Sequence, residues 1–251
     1  MSSWSKRRKY EYGAIVAIIV VGVVILLFYR FIYKTPTCFD GVQNQSEQGV
    51  DCGGVCERLC SNSFLAADIA WSRLEEVAPG LYNIAAYVIN NNVEGGAASV
   101  PYHIVLYDNQ GMLITETDGL VTLPPHRNTL IFAPAVPVGK RIPVRASVEF
   151  TSEPDWRKQK DTLQSLVVSN KKYSEDETGS SLMVTLRNTS VTTIENLTVY
   201  AVLYDRNGNA IGFSKTQLDE VPALGDAVAP FTWPINRHDM VISIEVLPVA
   251  E

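Results

Sequence analysis

Seventeen consecutive residues, Gly13 to Tyr29 (GAIVAIIVVGVVILLFY), carry no charge. Counted on to Ile32 the run has 20 residues. As a helix rising about 1.5 Å per residue it spans about 30 Å, the thickness of a bilayer core. A helix buried in a soluble protein shows a polar stripe, and this stretch is apolar all round. Arg30 stands near one end, where its long stem reaches the headgroups. The sequence therefore predicts a transmembrane helix over residues 13–33. The same segment masks the character of the rest: the mean hydropathy of +0.04 averages one strongly apolar anchor with a polar exterior.

The flanks set a direction. Lys6, Arg7, Arg8 and Lys9 precede the run, against Arg30 and Lys34 at its far end. The positive-inside bias then keeps residues 1–12, a basic stub, in the cytoplasm and places everything after Lys34 outside, in a single-pass protein of the cell membrane. A cleaved signal peptide is the rival reading, but Arg30, Phe31, Ile32 and Tyr33 are bulky or charged where a peptidase requires small side chains. Thr35-Pro36-Thr37 is an equally poor approach to a lipidated Cys38. With four cations and Glu11, residues 1–12 carry +3 of a total of −6, so the remainder carries −9. An acidic exterior speaks against nucleic acid and anionic lipid as partners and leaves solubility, cation binding or basic partners. With 46% hydrophobic and 19% charged residues, the 251-residue chain is too apolar for long disorder.

All four cysteines, Cys38, Cys52, Cys56 and Cys60, fall within 23 residues beyond the anchor. An even number on the oxidising side of a membrane reads as two disulfides, with three pairings open. A four-cysteine zinc site is the alternative, although its usual spacing has two CxxC-like knuckles. Asp40, Asn44, Glu47 and Asp51 recur between Gly-rich turns. They are calcium-ligand candidates, because calcium takes six to eight oxygens in irregular loops. Equally, they are candidates for capping backbone amides in turns. The pattern C-x-DG-x-x-N-x-x-E-x-x-x-DCGG-x-C from Cys38 to Cys56 resembles a short cysteine-rich module of bacterial surface proteins. That resemblance implies an extracytoplasmic structural knot over residues 34–62.

Beyond it the sequence repeats. SVPYHIVLYDNQGMLI (Ser99 to Ile114) matches NLTVYAVLYDRNGNAI (Asn196 to Ile211) at a constant offset of 97, with Asn90-Asn91-Asn92 set against Arg187-Asn188-Thr189. Two domains of about 90 residues are expected, 63–151 and 162–251, joined by a short charged linker, 152–161. Residues 81–90, 100–107 and 144–150 are short, rich in β-branched and aromatic residues and largely alternating, so they read as strands. The predicted fold is mainly β: one N-terminal transmembrane helix, then two tandem immunoglobulin-like antiparallel β-sandwiches. In both copies an Asp ends a strand and a Gly follows three residues later, Asp108 with Gly111 and Asp205 with Gly208. Asp accepts turn amides and Gly takes the left-handed conformation, which predicts equivalent hairpin turns after Tyr107 and Tyr204. Trp156, the one large apolar residue of the linker, is expected to pack between the domains or to meet a partner.

The segment Ile104, Leu106, Tyr107, Asp108 and its counterpart Ala201, Leu203, Tyr204, Asp205 resemble the FxLYD family of extracytoplasmic β-sandwich domains, with Ile104 and Ala201 at the leading Phe. The resemblance covers both copies and implies an envelope-attached binding or structural module with no catalytic residues. Nothing else in the chain argues for an enzyme. His103, His126 and His238 are scattered, no nucleophile-elbow, zinc-protease, phosphate-loop or dinucleotide motif is present, and the acids Glu75-Glu76 and Glu175-Asp176-Glu177 are expected in hairpin loops. Apart from calcium in the cysteine module, no cofactor is expected. The expected function is to present two sandwiches for protein interaction, most simply with another envelope protein, or for envelope scaffolding. The alternative is a sensor or binding module for a small molecule or glycan between the domains.

Overall fold

A computed structural model describes residues 3–31, 36–237 and 240–250. The chain divides into two compact units, Met1–Cys56 and Glu57–Glu251.

The first unit opens with helix α1, Ser3–Phe31. It begins ten residues before the apolar run, so the basic residues expected in a stub form helical turns. No proline or glycine precedes Gly13 to stop the helix, and Arg7 and Glu11 pair at i, i+4. The stretch Arg7–Phe31 is long and apolar enough to cross a membrane, and none of it is buried against protein. Trp4, Tyr10 and Tyr12 stand exposed near one end and Tyr29 near the other. Residues 32 and 33, the end of the expected span, lie outside the described residues. The rest of the unit is the cysteine module, which is held by turns and contains no strand of its own among the described residues.

Among its described residues the second unit holds twelve principal strands in two sandwiches. In the first, β1 (Asp68–Ala78), β2 (Leu81–Ile89) and β5 (Asn128–Pro137) form one antiparallel sheet in the order β1-β2-β5. Strands β3 (Gly95–Tyr107), β4 (Leu113–Leu123) and β6 (Arg145–Phe150) form the other, in the order β4-β3-β6. A two-residue strand, β7 (Arg157–Lys158), also pairs with β3. The second sandwich has β8 (Leu166–Asp176), β9 (Gly179–Asn188) and β12 (Asp226–Trp233) as β12-β9-β8, and β10 (Ile194–Tyr204), β11 (Ala210–Val221) and β13 (Ser243–Ala250) as β11-β10-β13. Taken in chain order, the six principal strands of each sandwich pair in the same way. The three strands read from sequence are β2, β3 and β6.

Alternation along the strands sends one face of each sheet inward. Ile84, Ala86, Val88, Ile104, Leu106 and Ile131 fill the first core, and Leu182, Val184, Leu186, Val199, Leu203 and Phe231 fill the second. A buried asparagine closes one end of each. The Asn90 amide donates to Gly95 O (2.8 Å) and Pro124 O (2.7 Å) while accepting from Asn92 N. Asn188 likewise donates to Thr192 O and Val221 O and accepts from Ser190 N. The structural equivalent of Asn188 is thus Asn90 rather than Asn91, one residue away from the alignment of the bare sequences. Asparagine serves here because one amide satisfies two carbonyls and one N–H that the turn would otherwise bury unpaired.

Two expectations are corrected. Residues 152–161 are not a free linker: Arg157 and Lys158 pair with Gly96 and Gly95, and Trp156 is 2% exposed within the first core, 5.6 Å from Phe64 between ring centroids. Trp156 is therefore neither a contact between the domains nor a partner contact, because its indole is consumed in closing the end of the first sandwich. The expected cysteine module, 34–62, is also divided. Leu59 N donates to Trp156 O (2.8 Å) and Lys158 N to Glu57 O (2.7 Å), which fastens residues 57–59 to the first sandwich.

Candidate functional site at the junction of the two sandwiches

Strands β2 and β10 are buried on both faces over much of their length, because each sandwich presents an outer face to the other. The β1-β2-β5 sheet of the first lies on the β11-β10-β13 sheet of the second. Ala85, Tyr87 and Leu130 meet Val202, Phe213 and Leu247 in a shared core flanked by Trp71, Phe132 and Tyr200. Phe132 meets Phe213 edge to face at 6.3 Å, and Trp71 stacks on Tyr87 at 5.4 Å, geometries that aromatic quadrupoles favour. The runs AAYVI and TVYAVLY could have signalled this, since a strand apolar on both faces must be covered on both.

Polar groups lock the apolar contact in one register. Tyr87 from the first sandwich and Tyr204 from the second donate to the two oxygens of Glu245, at 2.7 and 2.8 Å, and Asn128 donates to the Tyr87 hydroxyl (2.8 Å). Burial first, and the Glu245 carboxylate second, push both phenols up from their ordinary range. Arg127 binds Asp161 (2.8 Å) and Leu163 O (2.9 Å), which fixes the crossing between the sandwiches.

A buried ion pair joins Glu75, on β1, to Arg237, on the loop between β12 and β13. Their side chains are 6% and 3% exposed. Arg237 also donates to Ile211 O, Ile235 O and the Ser180 hydroxyl, and Glu75 accepts from Phe213 N. Every polar edge of the guanidinium is thereby employed, as burial of a charge requires. This corrects the placement of Glu75 and Glu76 in a hairpin loop: both lie in β1, and Glu75 points into the junction.

Burial pushes the Glu75 carboxyl up to about 7, against the opposing pull of Arg237. The sign follows from linkage. An acid whose pKa is higher folded than unfolded binds its proton more tightly in the folded state, so its contribution to stability is complete below about 4.5 and is lost as pH rises through about 7. Across that window the wild type is expected to lose on the order of 3 kcal/mol relative to Glu75→Gln. Urea titrations at pH 4.5 and 8 measure the difference, and an unchanged difference at the two pH values would contradict a raised Glu75 pKa.

A cleft opens beside this junction. One part, about 430 Å³, lies among Ala98, Thr122, Pro124, Pro125, Leu163 and Ala250. A second, about 320 Å³, shares Ala98 and Thr122 and is completed by Ser99, Leu120, Tyr200 and Val249. Both sandwiches supply walls. The register of β3 shifts between Ala97 and Val100, where Ser99 has a φ of +52°. This bulge brings Ala98 and Ser99 to the cleft.

The other candidate residues serve local structure. Asp108 Oδ1 accepts from Gln110 N and Met112 N, and Asp205 Oδ1 from Asn207 N and Asn209 N. Gly111 and Gly208 take φ of +76° and +77°, so the two hairpin turns are equivalent. Bonding to Arg141 and to turn amides holds Asp108 below the usual carboxylate range, and bonding to Asn209 does the same for Asp205. Tyr107 lies under Arg145, 4.4 Å from ring centroid to guanidinium, whereas Tyr204 belongs to the junction. His103 faces Asp118 (Nδ1 to Oδ1, 2.7 Å) and Glu116 (3.6 Å), which raise its pKa at an open sheet face away from the cleft lining. His126 sits in a turn, and His238 lies outside the described residues.

In the cysteine module, Cys38 is bonded to Cys56, Cys52 and Cys60 are disulfide-bonded as well, and no free cysteine remains. The thiolates of a four-cysteine zinc site are therefore consumed. Glu47 packs its carboxyl 3.2 Å from Cys56 Sγ and accepts from Asn44 N. Asp51 accepts from the amides of Asp40 and Gly41, and Asp40 from Thr37, Val42 and the Asn44 side chain. The structure thus brings Asp40, Asn44, Glu47 and Asp51 together as an amide-capping network.

No protein-family model matches the chain, and no curated protein matches it. Among solved structures it is similar to the yeast delta-COP-I mu-homology domain complexed with a Dsl1 WxWxV peptide, at 12% identity and a TM-score of 0.25, over 70% of this chain and 76% of that one. It is also similar to the N-terminal CBM22-1-CBM22-2 tandem domain of Paenibacillus barcinonensis Xyn10C, at 7% identity and a TM-score of 0.17, over 74% and 86%. Superposition that weak carries no inference about fold or function.

Proposed function

We propose that the chain is a single-pass membrane protein, with its basic N-terminus in the cytoplasm, that displays a rigid FxLYD-like pair of sandwiches outside the cell membrane to bind another envelope protein. The shared junction core carries this reading. Two sandwiches joined by a linker would move independently, whereas two joined by a common apolar core and a buried ion pair hold the cleft beside them in one shape, and preorganisation lowers the entropic cost of binding. The disulfides suit an oxidising compartment.

The chemistry of the surface favours protein over glycan. Among the described residues of the second unit, none of the exposed large apolar side chains is aromatic, and Tyr200 in the cleft lining is half-buried against the shared core, whereas sugar-binding surfaces are typically built on exposed aromatic faces. A photocrosslinking residue at Thr122, in the full chain in its native membrane, tests the proposal. We expect a discrete protein adduct from Thr122 and none from Thr185, on the far sheet of the second sandwich. Equal labelling from both positions, or a glycan adduct alone, would reject it. Protease treatment of intact cells should digest the sandwiches and spare the N-terminus, and the opposite pattern would reverse the topology.

A further inference from the structure

Each sheet of the two sandwiches ends in edge strands, whose outer backbone groups can pair with a further strand unless something blunts them. Most of these edges are blunted. Strands β5, β12 and β13 contain Pro134 and Pro137, Pro230 and Pro248, and β8 and β11 carry Lys171, Lys172 and Lys215. Strand β6 has only six residues, Arg145 among them, and β1 carries Arg73 and sends Glu75 into the junction. Strand β4 differs from all of them. It is 11 residues long, pairs with β3 alone, and contains neither proline nor a basic residue. Towards its end Leu120, Val121 and Thr122 line the cleft.

The charge on β4 specifies what can pair with it. Glu116 and Asp118 are two residues apart, so they share the outer face, and their side chains are 60% and 76% exposed. In the same sheet His103 stands opposite Asp118 on one side and Glu149 on the other. Three carboxylates outnumber one imidazole, so this face is negative whether or not His103 holds a proton. Arg145, the base on β6, lies over Tyr107. The repeat sharpens the contrast. In the second sandwich the positions matching Glu116 and Glu149 by strand register are Phe213 and Leu247, and both are buried in the shared core. The sheet face that is apolar and covered in one copy is acidic and open in the other. A second copy of the chain offering its own β4 would set acid against acid, which opposes pairing.

We propose that β4 is an edge to which an extended segment of the partner protein adds, with lysine or arginine at alternate positions facing Glu116 and Asp118. The proposal rests on the reading of the cleft as a protein-binding site and gives the chemistry of what enters it. The partner's backbone pairs with the open edge, and its basic side chains select it over neutral or acidic strands.

Peptides of the length of β4 test this on the full chain in zwitterionic nanodiscs at low salt. One alternates Thr with Lys, a second alternates Pro with Lys, and a third alternates Thr with Glu. The Thr-Lys peptide should slow amide exchange across residues 115–121 and bind at least about tenfold more tightly than the Pro-Lys peptide, which has the same charge but cannot donate from every residue. The Thr-Glu peptide should not bind. Glu116→Gln with Asp118→Asn should weaken the Thr-Lys peptide about fivefold, and added salt should weaken it further. Melting temperatures should stay unchanged, since both side chains face water. The proposal fails if the Pro-Lys or Thr-Glu peptide binds as tightly, if exchange along β4 is unaltered, or if it slows with the chain's own concentration before peptide is added, the mark of a second copy. In the native membrane, Glu116→Lys with Asp118→Lys should abolish the protein adduct formed from Thr122. An adduct that survives overturns the edge-strand proposal and leaves the protein-binding reading intact, whereas a wild type without an adduct overturns that reading and this proposal with it.

Discussion

Replacing Arg237 with alanine is expected to destabilise the two-sandwich body by about 3–5 kcal/mol at pH 8, the cost of leaving a buried charge without its partner. Glu75 would keep its place on β1 with only Phe213 N to bond it, and the Arg237 bonds to Ile211 O and Ser180 would vanish with the guanidinium. The penalty should shrink below pH 5, where Glu75 takes up a proton and no longer needs a cation. Arg237→Met combined with Glu75→Leu should recover much of the loss, because an apolar pair of similar volume avoids the desolvation cost. Urea midpoints of the wild type and these two variants decide this. A loss under about 1 kcal/mol at pH 8 would place the pair in solvent, where ion pairs contribute that little.

Trp156→Ala is the second large effect, expected at about 3–5 kcal/mol, the usual cost of truncating a buried tryptophan. The indole packs beside Phe64 in the first core, and its backbone oxygen accepts from Leu59 N. Truncation therefore opens a cavity where residues 57–59 are fastened to the sandwich. An exposed linker residue would change stability by less than about 0.5 kcal/mol, so one denaturation curve separates the buried reading from the linker reading. Trp156→Phe should cost less, since the ring partner is kept.

Some of this architecture was legible in residue order alone. Helix α1 follows from an uncharged run that no water-exposed or partly buried helix would tolerate. The turns at Asp108 and Asp205 follow from local chemistry, in which an Asp oxygen meets amides two and four residues on and a glycine takes a positive φ. Glu75 was not legible. A glutamate beside a second glutamate reads as a solvated loop, and its partner lies 162 residues away in sequence. Trp156 was misread for a similar reason, because Ser152, Glu153, Asp155, Arg157 and Lys158 give its neighbourhood the composition of a linker. A two-residue strand is too short to leave a period.

What the sequence by itself determined about this protein is whatever depends on neighbours within a few residues: the long apolar helix, the strands and their Asp–Gly turns, and the clustering of cysteines fit for disulfides. The tertiary structure alone decided which outer faces of the sandwiches would meet, and hence the shared core, the Glu75–Arg237 pair and the cleft. The physical reason is that packing of one sheet on another is set by shape and charge summed over surfaces distant in sequence. A strand apolar on both faces announces that it must be covered without saying by what.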